Sequence, residues 1–153
     1  MPDLITHAVS VYPFCKLRHF KRYRLFLLIG VLLPDLLGRP IHILFPRLMP
    51  YTLAVHTPVF MIVFILLLAE FFEKGERALV IKFTAAGVLC HFILDMLQRH
   101  IGSGYFWFFP FSWKSFEWGL FWPEDSIKWI PLWLILILAA EAVVRIIKGR
   151  KIF

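Results

Sequence analysis

Val88-Leu89-Cys90-His91-Phe92-Ile93-Leu94-Asp95-Met96-Leu97 is an apolar run carrying one imidazole and one carboxylate four residues apart. On a helix that spacing stacks His91 and Asp95 on one face, one turn from each other. An unpaired polar group in hydrocarbon costs several kcal/mol. A pair kept at this depth therefore points to function rather than packing.

Outward from this pair the chain stays apolar. Of its 153 residues, 60% are hydrophobic and 18% aromatic, against roughly 45–50% apolar in soluble domains, and the mean hydropathy is +0.76. The composition is that of an integral membrane protein. Residues 78–97, which end on the pair, are long enough to cross the hydrocarbon core, as are residues 52–72 and 129–147. Residues 25–37 reach only about 20 Å and end at Pro34 and Gly38 around Asp35. Residues 2–12 form a short amphipathic helix stopped ahead of Pro13. The expected fold is an all-α membrane bundle of three full spans plus two short N-terminal helices. It forms one domain over residues 1–153, since neither a linker nor a repeat divides it.

The net charge of +7 does not require nucleic acid, and no nucleic-acid partner is expected. Lys and Arg gather at the ends of the apolar segments, at residues 16–24, 74–82 and 145–151, where they meet lipid phosphates and mark the cytoplasmic side. Membrane lipids are the expected partners. With those three basic clusters inside, Asp35 ends an outgoing segment, His56 begins an ingoing one, and His91 and Asp95 end another outgoing one. These residues converge on one non-cytoplasmic level, which His7 joins from the first helix. Between residues 102 and 123 the aromatic residues are dense enough for a belt at the bilayer interface. A sharper reading makes that segment a roof over the polar cluster, admitting an amphiphile from the side.

Three imidazoles, His7, His56 and His91, with the carboxylates Asp35 and Asp95 and a further one at Asp3, are the donors used by zinc, manganese and iron sites. Such an ion can bring a bound water near neutral pKa for attack on an ester or phosphoester. One carboxylate, Asp95 or Asp35, is left as general base or as the orienter of a histidine. Cys15 and Cys90 do not suggest a disulfide, and Cys90 is a further possible ligand.

In order, Met1-Pro2-Asp3-Leu4-Ile5-Thr6-His7, Leu32-Leu33-Pro34-Asp35, His56-Thr57, His91-Phe92-Ile93-Leu94-Asp95-Met96-Leu97 and Pro110-Phe111 resemble the LexA-binding, inner-membrane-associated metal-dependent hydrolase family. The resemblance spans residues 1 to about 111. It implies a small multi-pass protein of a bacterial or archaeal inner membrane that hydrolyses an ester or phosphoester. Leu37, Tyr51 and Val55 stand where that family carries other residues, two of them polar, which favours one ion, or none, over two; His42 is a nearby substitute. The alternative from a different class is a non-catalytic membrane protein whose His/Asp cluster relays ions or protons or locks helices together. His19 and His100, beside basic residues, are expected to be solvated, and Glu141 to pair with Arg145.

Overall fold

The computed structural model describes residues 4–16, 21–48, 53–100 and 104–149, the side chains at 123, 126, 127 and 147–149 excepted. Asp3, His19 and Tyr51 lie outside the described residues. The described residues form five α-helices, α1 (Leu4–Lys16), α2 (Arg24–Leu44), α3 (Pro58–Ala69), α4 (Lys74–Leu97) and α5 (Ile130–Gly149), and no strand.

The all-α expectation holds, but the division into spans does not. Among the described residues two helices, not three, are long and apolar enough to cross a membrane, Arg24–Leu44 and Lys74–Leu97. The segment expected to be short is one of them. α2 passes through Pro34 and Pro40 instead of ending at Gly38; its buried face, which includes Pro34 and Gly38, outweighs the hydrogen bonds the prolines remove. α1 likewise continues through Pro13 to Lys16.

The expected span over residues 52–72 is a 3-10 turn, Leu53–His56, followed by the 12-residue α3. Thr57 sits in an extended conformation with its side chain accepting from the Phe60 N–H, and Pro58 follows at the first helical position. These are helix-start signals strong enough to begin α3 after His56 rather than before it. At about 18 Å, α3 is too short to cross hydrocarbon.

The architecture centres on α2 against α4. Adding a Cβ to Gly30 would place it 2.2 Å from the Thr84 carbonyl oxygen, and adding one to Gly87 would place it 2.3 Å from that of Leu27. Only glycine lets two backbones approach this closely. The two helices run in the same direction: Gly87 lies on Leu27, and His91, one turn on, lies on Val31.

Each packing stripe then ends in a polar residue. His7 precedes Val11 and Cys15 on α1, Asp35 follows Leu27 and Val31 on α2, and His91 and Asp95 follow Val88 on α4; all of these side chains are buried. The i, i+4 spacing that makes the apolar core also carries its polar members to one place. α5 joins through α1, where Glu141 pairs with Lys16 and accepts from the Tyr12 hydroxyl at 2.6 Å. That pairing replaces the expected partnership of Glu141 with Arg145.

Candidate metal centre

His7, Asp35, His56, His91 and Asp95, the five residues singled out from the sequence, are brought together and are at most 1% exposed. They come from α1, α2, the turn before α3, and α4. Neighbouring groups fix several of their orientations.

The Nδ1 of His91 lies 2.8 Å from the Val31 carbonyl oxygen. Since a carbonyl only accepts, Nδ1 carries the hydrogen, and in the neutral ring Nε2 presents a bare lone pair. That Nε2 lies 3.2 Å from Asp95 Oδ2, and neither atom has a hydrogen-bond partner of acceptable geometry. A lone pair facing a carboxylate across this distance needs a cation or a proton between them.

The pattern repeats around the cluster. His7 Nε2 is 3.5 Å from Asp95 Oδ1, and His56 Nε2 is 3.4 Å from Asp35 Oδ1. Both ring nitrogens of His7 and both oxygens of Asp95 lack hydrogen-bond partners. His7 stacks on His91 with centroids 4.0 Å apart, and burial holds its imidazole below the usual histidine value against the opposing pull of Asp95. It is therefore neutral at neutral pH, the form that ligates.

Donors about 2.0–2.2 Å from a tetrahedral ion lie roughly 3.4 Å from one another, which the three pair distances match. His7, Asp35 and His91 form one group whose donor atoms lie within 4.8 Å of one another, and His56, His91 and Asp95 form a second. His91 belongs to both. The donor set, the spacing and the orphaned atoms all fit a divalent ion.

The surroundings hold residues that patterning did not reveal. Arg39, one turn beyond Asp35, pairs with its Oδ2 at 2.8 Å; the i, i+4 spacing was the available signal, but residues 39–50 read as a connector. Gly38 makes room for His56, whose Cε1 would lie 2.8 Å from an added Cβ. Tyr105, placed by composition in an aromatic belt, is 2% exposed and stacks flat on His56, centroids 5.0 Å apart. The aromatic segment is thus divided: Tyr105 and Trp107 are buried, while Phe108, Phe111 and Trp113 are exposed.

His100 is not solvated as expected, because its Nδ1 lies 2.7 Å from Glu117 and its ring makes a T-shaped contact with Tyr105. His42 and Cys90 belong to neither group of donors.

A family model described as zinc dependent phospholipase C matches residues 2–127. No curated protein matches the chain, and no solved structure does. The match agrees with the metal-dependent hydrolase part of the resemblance and carries nothing about LexA or an inner membrane. The metal it implies, zinc, is one that the donor set suits.

Proposed function

Since the chain belongs to the zinc-dependent phospholipase C family, matched over most of its length, we propose that it hydrolyses a phosphoester of a membrane lipid or similar amphiphile at the His/Asp cluster. The observation that carries this reading is the Nε2 of His91 held 3.2 Å from an Asp95 carboxylate oxygen, neither atom having a hydrogen-bond partner of acceptable geometry.

His7, His56, His91 and Asp35 would hold the ion, and Asp95 would complete its ligation or accept a proton from water. Zinc, when bound, supplies Lewis acidity and a strong nucleophile near neutral pH. The Val31 carbonyl holds the His91 ring in the tautomer that ligates, and Arg39 draws charge from Asp35. Charge favours a phosphoester over a carboxylic ester. Two carboxylates balance a divalent ion, and the Arg39 guanidinium leaves the pocket with one positive charge in excess, suited to a phosphoryl group.

In this reading the whole chain is one domain embedded in a bacterial or archaeal inner membrane, with α2 and α4 crossing the bilayer. Exposed Ile62, Leu66 and Leu67 on α3 and Leu134 and Leu138 on α5 support a lipid-facing exterior. The test is elemental analysis of protein purified without chelator, for the wild type and His91→Ala. Stoichiometric zinc in the first and its loss in the second is the expected result; no divalent ion in either defeats the proposal.

A further inference from the structure

Tyr105 has a feature that ion binding by the five His/Asp side chains does not use. Its ring is locked on three sides: flat against His56, edge-on to Trp107 at 5.7 Å and edge-on to His100 at 4.4 Å. His100 is held in turn by Glu117, and Trp107 donates its indole N–H to the Phe116 carbonyl. Backbone bonds from Trp118 to Met96 and from Leu120 to Leu97 tie this segment to the end of α4. A ring so fixed points its hydroxyl in one direction.

That hydroxyl is buried without a hydrogen-bond partner. The Asp95 carboxylate lies near it, but no bond of acceptable geometry joins the two, and a phenol hydroxyl can turn its O–H toward another acceptor. Each carboxylate also faces other groups of the cluster: Asp35 lies between His56 and Arg39, and Asp95 between His7 and His91. A buried donor with no acceptor is uncommon in a folded protein. The acceptor it lacks is one that a ligand at the cluster would bring.

We propose that the Tyr105 hydroxyl is a catalytic group, donating a hydrogen bond to a phosphoryl oxygen of the substrate at the His/Asp centre. The inference rests on the zinc-hydrolase reading above and adds a residue that ligates nothing. The hydroxyl gives the phosphoryl oxygen a fixed donor in a buried site, where such a contact stabilises developing negative charge.

The experiment compares wild type and Tyr105→Phe, a change that keeps the ring on His56. Zinc-loaded protein in neutral detergent micelles is titrated calorimetrically with inorganic phosphate and, in a second arm, with a short-chain phosphonolipid that resists hydrolysis. Zinc affinity is measured in parallel. Loss of a hydrogen bond to a charged group should weaken phosphate and phosphonolipid binding about 10–100-fold, with zinc affinity unchanged. A loss in one arm only also supports the donor and identifies its source as lipid or as free phosphate. Unchanged binding in both arms of a variant that keeps its zinc overturns the role of Tyr105 alone. Zinc affinity falling in step with phosphate overturns it as well, by making Tyr105 a support for the ligands. A wild type that takes up no zinc overturns both this inference and the hydrolase reading.

Discussion

Gly87→Ala tests the link between the helix crossing and the site. The added Cβ would sit 2.3 Å from the Leu27 oxygen and 2.7 Å from the Val31 nitrogen, where ordinary contact begins at 3.4 Å. Helices α2 and α4 must therefore part by about 1 Å. One turn on, the 2.8 Å contact of His91 Nδ1 with Val31 would open beyond hydrogen-bond reach. Overpacking costs about 1–3 kcal/mol, and the stranded, buried Nδ1–H of His91 about 1–3 kcal/mol more. At roughly 2–4 °C per kcal/mol for a chain of this size, the melting temperature should fall on the order of 10 °C.

Because His91 loses its orienting partner, zinc affinity should also fall about 10–100-fold. The assays are thermal unfolding by near-ultraviolet circular dichroism in detergent and competitive zinc titration. Gly75→Ala is the control, with nothing within 4 Å of the added Cβ and an expected gain of about 0.5–1 kcal/mol from helix propensity. If Gly87→Ala melts with the wild type and keeps its zinc affinity, the crossing does not set the position of His91.

Asp95→Asn preserves shape but removes the charge shared by His7 and His91; zinc affinity should drop at least about tenfold, equivalent to ~1.4 kcal/mol, and equal retention on dialysis would exclude Asp95 as a ligand. The buried His7 lies below its ordinary value of 6.5, so the unfolded chain binds its proton first. Its contribution to stability is full above pH 6.5 and is lost as pH falls toward the lowered folded value; melting of the metal-free protein against pH should be steeper for wild type than for His7→Gln, and parallel curves would refute this. Thr57→Ala removes the cap that starts α3 and should cost about 1 kcal/mol, or roughly 2–4 °C on the same melt, with no loss if the cap is idle.

The sequence misleads where local rules compete with packing. Pro34 and Gly38 look like a helix end because each weakens a helix alone, yet both are buried in α2. The apolar run at residues 52–72 shows no period that would distinguish a span from a turn plus a short helix. Thr57-Pro58 carried the decisive signal there, and it was outweighed by hydropathy. Tyr105 could not be separated from its aromatic neighbours, since burial of one ring among many depends on contacts with His56, His100 and Trp107 that are distant in sequence.

What residues alone determined was the helical class and the identity of the scarce polar groups inside apolar stripes, because helical periodicity is local and a buried His or Asp stands out against Leu and Val. Tertiary structure decided the rest. The backbone contact at Gly30 and Gly87 sets how close α2 and α4 come, and that approach lets Val31 hold His91, with Asp95 one turn beyond. Distances between donors on four separate elements depend on how those elements pack, which no spacing along one chain can express.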